Sequence, residues 1–309
     1  MSTIVVLAGG LSHERDVSLR SGRRAVLALR ELGHRVIEAD VNADLVTLLA
    51  SVEDPVVVPM LHGGLGEDGA LREVLDLLRV PYVGSNAPAA RMTFDKSIAT
   101  PLVAAAGLAT PKQVALPHDI FRELGAQALV RALANEVGLP LMVKPSRSGS
   151  ALGCTKVVAA EQLPAAMVAA YAYGSVAVVE EFIEGTEIAV AVVDTGDGPV
   201  ALPAVEIRPE KGVYDYDARY TAGTTQFVTP AELPAEVADE AGKLALAAFD
   251  VLGLRQLSRI DIIVRDGVPV FIEANVAPGM TETSLVPLAL ESAGLGLGEL
   301  LSTLVARCA

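Results

Sequence analysis

Apolar positions in the first eighty residues fall into short runs separated by stretches of helical spacing. Residues 3–8 are an apolar run that enters Gly9-Gly10. Runs at 35–39 and 56–61 repeat the pattern, the second ending in His62-Gly63-Gly64. Helical spacing runs from 17 to about 32, where Gly33 is a stop signal, and again from 69 to 78. Strands alternating with helices predict a parallel, doubly wound sheet, whose ligands bind beyond the carboxyl ends of the strands. Both glycine-rich turns fall at such ends.

Helical spacing returns at 94–106, 121–137 and 163–171. Strands are expected at 141–144 and 176–183, with a Gly/Ser loop at 145–153. The prediction is an N-terminal α/β unit over residues 1–95 and a smaller α+β unit over 96–184. A third unit over 185–309 would hold strands at 187–193 and 200–207, a helix at 235–252, a hairpin at 259–275 and a closing helix at 298–307. Residues 208–229 have no apolar period and carry Tyr214, Tyr216 and Tyr220. A loop of that length inside a compact domain predicts a lid.

The hairpin carries the most informative chemistry. Its strands read Ser258-Arg259-Ile260-Asp261 and Phe271-Ile272-Glu273-Ala274-Asn275. Side chains two apart share a face of a strand, so Arg259 lies with Asp261, and Glu273 with Asn275. In a buried strand such groups must be paired or bound to something; on a solvent-facing strand they would be ordinary surface charges. Hard oxygen donors of this kind are what Mg²⁺ takes, shared with substrate phosphates. A two-residue turn at Asp266-Gly267 would set Asp261 opposite Ile272 and turn Glu273 away. A three-residue loop at 265–267 would pair Arg259 with Glu273 and leave Asp261 diagonal to it. The expectation is therefore the odd-length loop, or a compensating bulge.

Length and composition narrow the picture further. A chain of 309 residues, 51% of them hydrophobic, is globular and larger than one core comfortably fills. The formal net charge of −14 disfavours a nucleic-acid binder, so any phosphate site must be a local basic pocket. Cys154 and Cys308 are too few for a disulfide framework and read as free thiols of a reducing compartment. No signal peptide and no run near the ~20 apolar residues of a membrane span are visible, so a cytoplasmic protein without membrane partners is expected. The loop from Lys144 to Gly153 lacks the Walker order. It still has glycines that admit an anion, hydroxyls that donate, and flanking cations.

Five ordered boxes resemble the D-alanine–D-alanine ligase family of ATP-grasp enzymes, over essentially the whole chain. They are residues 9–19, residues 62–69, Pro81-Tyr82-Val83-Gly84-Ser85, Asp95-Lys96, and residues 273–285. The resemblance implies an α/β ATP-grasp fold, in which an N-terminal doubly wound domain is followed by two α+β domains that sandwich ATP. It implies a ligase joining two D-alanines through a D-alanyl phosphate for peptidoglycan, with a D-lactate depsipeptide or other dipeptide as the alternative product. Lys96, Lys144, Ser150, Glu180, Glu187 and Arg219 match positions that bind ATP. Asp261, Glu273 and Asn275 match the ligands of two Mg²⁺ ions, for which Mn²⁺ can substitute, with Glu273 bridging. Arg259 matches the residue that stabilises the tetrahedral oxyanion. Glu14 matches the anchor of the first ammonium, near His62; Gly279 and Ser284 match the binders of the second carboxylate. Tyr220 with Ser150 and Glu14 matches a hydrogen-bonded triad that closes the lid. A homodimer is implied as well.

Two departures stand out. Ser150-Ala151 replaces the usual pair of serines, one hydroxyl fewer. Arg219 replaces the usual lid lysine, keeping the charge with a different reach. Depsipeptide relatives alter the lid tyrosine, and Tyr220 is present. A catalytically silent domain of the same fold, acting as a metabolite sensor, would have no need of Arg259, Asp261, Glu273 and Asn275.

Overall fold

The computed structural model of the protein describes residues 2–210 and 223–308. Strands β1 (Thr3–Leu7), β2 (Val36–Ala39) and β3 (Pro55–Pro59) form a parallel sheet in the order β2-β1-β3. Tyr82 adds a parallel bridge beside Val57. Helix α1 (Arg15–Glu31) covers Ile4 and Val6 on one face. Helices α2 (Leu45–Ser51) and α3 (Ala70–Leu77) cover Val5 and Leu7 on the other. The short α2 was not anticipated, because seven residues barely define a period.

The helix expected at 94–106 is α5 (Lys96–Ala105), and a separate helix that was not expected, α4 (Ala87–Phe94), precedes it. Asp95 between them is extended, at φ −94° and ψ 100°, and its carboxylate accepts the Ser97 N–H at 3.1 Å. An aspartate cap of this kind starts a helix anew, so Lys96 is the first residue of α5. Asn86 caps α4 in the same way, accepting the Ala89 N–H at 2.9 Å.

The central sheet is antiparallel, in the order β4-β7-β5-β6. Its strands are β4 (Gln113–Pro117), β5 (Leu141–Pro145), β6 (Thr155–Val157) and β7 (Val176–Glu181). Leu133 and Val137 of α7 (Ala126–Val137) and Leu163, Ala166 and Met167 of α8 (Leu163–Tyr171) pack on it. The helix expected at 121–137 is broken at Gly125, φ 84°, leaving the short α6 (Asp119–Leu124) before it.

The third sheet runs β11-β10-β8-β12-β13, with β9 paired to β8. Its strands are β8 (Thr186–Asp194), β9 (Pro199–Ala201), β10 (Val205–Pro209), β11 (Thr225–Val228), β12 (Leu257–Arg265) and β13 (Val268–Asn275). The single strand expected at 200–207 is thus two, and the aperiodic stretch 208–229 is a strand at both ends. Residues 211–222 between them lie outside the described residues. Helix α9 (Ala235–Val251) and α5 cover one face of this sheet. The other face packs toward α1, α10 (Leu285–Ser292) and α11 (Leu297–Ala306).

Strand β8 shows why the sequence there reads as continuous apolar residues. Ile188, Val190 and Val192 point into the core under α9, while Ala189, Ala191 and Val193 point into the core shared with the N-terminal sheet. A strand buried on both faces has no polar side to alternate. Among the described residues no single helix is long and apolar enough to cross a membrane. Ile188→Val in the fully buried strand should cost about 1 kcal/mol. Leu77→Ala, at an 82% exposed position, should change stability by less than about 0.5 kcal/mol. Urea unfolding of both variants checks this contrast.

Candidate active site

The β12–β13 ribbon corrects the expected hairpin. Arg265 pairs with Val268, so the turn is the two residues Asp266 and Gly267, both left-handed at φ 51° and 80°. Such a pair matches the twist of a tight hairpin. The three-residue loop and the pairing of Arg259 with Glu273 are therefore wrong. Parity is restored by the bulge: the register shifts between Asp261 and Ile262, leaving Ile272 as the extra residue. Asp261 then faces Glu273 directly, and Arg259 faces Asn275. Arg259 and Asp261 are buried, which removes the surface-charge alternative. The Arg259 fork donates to both Asp261 oxygens, at 2.6 and 2.7 Å. Ile260 and Ile262 take the opposite face, into the core under α9.

Lys96 reaches this charged face from the first turn of α5. Its Nζ lies 3.1 Å from Glu273 Oε2 and donates to the Ser148 carbonyl at 2.8 Å. Burial works against the ammonium, but Glu273 and other anions outweigh it and hold its pKa above the ordinary value. Asn275 Oδ1 accepts the Ala277 N–H at 2.9 Å. Among the described residues no three His, Cys, Asp or Glu side chains come together as a metal cluster. A cation here would rest on two facing carboxylates, the amide oxygen of Asn275 and oxygens of a bound ligand. That donor set fits Mg²⁺, which usually binds one or two carboxylates and substrate phosphates.

A cleft of about 640 Å³ opens between the central and C-terminal sheets, within the size of small-molecule sites. Lys144 of β5 and Glu180 of β7 lie on its wall, with Nζ to Oε1 at 2.6 Å and both side chains buried. The second oxygen, Glu180 Oε2, is buried and accepts no hydrogen bond among the described residues. A buried acceptor of this kind calls for a donor from a ligand. Glu187, half-buried at the start of β8, lines the same cleft.

A second, inner pocket adjoins the cleft. Glu14 stands at its centre, and its Oε1 accepts the Ser150 hydroxyl. Two glycine backbones close on this carboxylate. A Cβ at Gly63 would lie 2.3 Å from Glu14 Oε2, and one at Gly149 2.9 Å from it. Side chains at either position would expel Glu14. His62 lines the pocket, but both ring nitrogens are engaged by the protein. Nδ1 is 2.8 Å from the Ala277 carbonyl and Nε2 is 2.9 Å from Ser21 Oγ. A carbonyl only accepts, so Nδ1 carries the proton and Nε2 accepts from Ser21. Burial, the largest influence, holds the His62 pKa down. Ser284 Oγ accepts the Thr281 N–H at 3.0 Å. It sits 2.8 Å from where a Gly279 Cβ would be.

These contacts bring together Glu14, His62, Lys96, Ser150, Arg259, Glu273, Asn275, Gly279 and Ser284 around one pocket. Lys144, Glu180, Glu187 and Asp261 line the adjoining cleft. Arg219 and Tyr220, the lid candidates, lie outside the described residues.

Residues 102–306 match the family described as the D-ala D-ala ligase C-terminus. The chain belongs to the D-alanine–D-alanine ligase family. It is 39% identical to a D-alanine–D-alanine ligase from Desulforudis audaxviator, over 98% of this chain and 97% of that one. It superposes on a crystal structure of D-alanine–D-alanine ligase from Bacillus anthracis complexed with ATP, with a TM-score of 0.83 and 28% identity over 99% and 97% of the two chains. The VanG D-Ala:D-Ser ligase from Enterococcus faecalis gives a TM-score of 0.86 at 27% identity over 100% and 99%. The fold is ATP-grasp, as the sequence boxes imply.

Sequence reasoning passed over two charged residues of the inner pocket, Arg20 and Glu67. Glu67 stands in the second box, but nothing in its spacing told of its burial. Its carboxylate is 7% exposed and accepts the Gly63 N–H at 3.0 Å. Burial, and then the nearby Glu14, push its pKa from 4.5 up to about 7. Between those values folded Glu67 keeps a proton that the unfolded chain has released, so its contribution to stability falls as pH rises through that window. Glu67→Gln should flatten that slope. Urea unfolding without nucleotide at a series of pH values across the window measures it.

Proposed function

We propose that this chain joins two D-alanines at the expense of ATP, making D-alanyl-D-alanine, ADP and phosphate for peptidoglycan synthesis. The observation that carries the reading is the wall shared by the two cavities. Lys96, Ser148, Gly149, Ser150 and Glu273 line both the inner pocket and the cleft. A carboxylate held in one is thereby set against a phosphate held in the other, and positioning is most of what phosphoryl transfer requires.

In this reading Glu14, steadied by Ser150, takes the ammonium of the first D-alanine. Lys96 and Lys144 hold the phosphates, Glu180 accepts from the adenine amine, and Glu187 takes the ribose. The first carboxylate attacks the γ-phosphorus, a bond to that carboxylate oxygen forms, and ADP leaves. The second amine, as the free base, attacks the acyl carbon. Arg259, already fixed by Asp261, lies beside the oxyanion that develops, and phosphate departs as the carbonyl re-forms. Preorganised donors of this kind contribute roughly 3 kcal/mol or more.

Asp261, Glu273 and Asn275 would hold two Mg²⁺ ions, which would neutralise phosphate charge. Support for the fit is that Asp261 faces Glu273 across the ribbon, with Asn275 two residues along the same strand. Ser284 and the Gly279 amide would receive the second carboxylate. Arg219 and Tyr220 would close over the site from the lid 208–229. We also propose three units, 1–95, 96–184 and 185–309, acting as a cytoplasmic homodimer. The central core is made wholly of residues between 114 and 179, whereas Ala99 and Val103 of α5 pack with the C-terminal sheet.

Product mass and phosphate release, measured with Mg-ATP and D-alanine, D-serine or D-lactate as second substrate, test the assignment. D-Alanine should give the dipeptide. Phosphate release with D-lactate but not D-alanine would point to a depsipeptide ligase, and release with none of them to a silent metabolite sensor. Glu273→Gln should abolish turnover while leaving the unfolding curve near wild type; near-normal turnover in that variant would remove the metal assignment.

A further inference from the structure

We infer that Arg20 recognises the carboxylate of the second substrate and sets the direction in which that substrate enters the pocket. The inference rests on the D-alanine ligase reading and extends it to a residue that none of the sequence boxes marks. Arg20 lies on the stripe of α1 that borders the loop 279–284. One turn earlier, Val17 Cγ1 lies 4.0 Å from where a Gly279 Cβ would be. One residue later, Ser21 Oγ accepts the Met280 N–H at 3.0 Å. One turn later, Arg24 donates to the Thr281 carbonyl at 2.7 Å. Positions three and four apart on a helix share a face, so Arg20 must sit over the same loop.

Its neighbours on the stripe are spent on holding that loop. Arg20 is exposed at the pocket mouth, and makes no hydrogen bond or ion pair with a described residue. The other arginine of the pocket, Arg259, has its fork committed to Asp261. Thr281 and Ser284, whose hydroxyls are 2.8 Å apart, line the pocket beside Arg20. A guanidinium next to two hydroxyls is a carboxylate-binding set.

The charge of the remaining wall makes the orientation matter. Glu14, Glu67 and Glu273 all line the pocket. An amino acid is a zwitterion, and the other cations of that wall, Lys96 and Arg259, are already paired with Glu273 and Asp261, so its carboxylate is drawn to Arg20 and its ammonium to the carboxylates. With Arg20 on the side of the loop, the carboxylate turns outward toward the cation and the amine inward toward the acyl group it must attack. Reversed binding puts like charges together, which is a specificity device as well as a loss of affinity.

The test compares wild type, Arg20→Gln and Arg20→Lys in steady-state kinetics, with D-alanine and D-alaninamide as alternative second substrates. Arg20→Gln should raise KM for the second D-alanine about fivefold, the size expected of an exposed charged contact. Its KM values for the first D-alanine and for ATP should stay within about twofold, the range of a surface change away from those contacts. Its preference for D-alanine over D-alaninamide should shrink by the same factor, because the amide lacks the charge that Arg20 reads. Arg20→Lys should restore part of both. An unchanged preference in Arg20→Gln, or all three KM values rising together as for bulk electrostatics, overturns the assignment of Arg20 alone. A wild-type protein that makes no dipeptide from D-alanine overturns the ligase reading and this inference with it.

Discussion

Asp261 and Glu273 face each other across two neighbouring strands, and Asp261 is buried. Like charges opposite one another in a sheet repel, and burial raises the cost of each. The arrangement exists only because cations come to it. Arg259 is supplied from the same strand, two residues away, with its fork across both Asp261 oxygens. Lys96 is supplied from elsewhere and reaches Glu273. It does so because Asp95 restarts the chain as a helix at that residue and because Ala99 and Val103 of α5 pack under β13. The balance of charge on one ribbon thus dictates where a helix must begin and how it must dock.

A second constraint ties the N-terminal sheet to the rest. Glu14 accepts from Ser150 of the loop 145–153 while the backbones of Gly63 and Gly149 close on it. Ser21 and His62 form a chain that ends on Met280 and Ala277, and Arg24 holds Thr281. One helix of the first sheet therefore positions the loop that would receive the second substrate. His62 is better placed to hold that loop than to touch a ligand, since its proton and its lone pair are both used. Building a pocket from the ends of separate sheets lets small polar contacts, rather than large interfaces, define its shape.

Much of this was legible in the order of residues. The parallel sheet followed from apolar runs alternating with helical spacing. The charged hairpin was recognisable because its two-residue period is strong. Weak periods failed: α2 and α4 are too short to define one, and the stretch 121–137 hid the break at Gly125. The glycine was present there, but apolar residues on either side carried the helical signal through it. Glu67 and Arg20 were passed over because neither burial nor an absence of partners has a local signature.

By itself the chain determined which chemical groups would be available: oxygen donors at two-residue steps, lysines at strand ends and glycines at turns. Those depend on local backbone geometry, which neighbouring residues set. Only the tertiary structure decided which of them meet. The bulge at Ile272 set Asp261 against Glu273, and the docking of α5 brought Lys96 to them from ~165 positions away along the chain. The raised pKa of Glu67, and an Arg20 guanidinium with no partner among the described residues, were likewise decided there. Burial and electrostatic pairing depend on distances through space, and sequence separation does not report them.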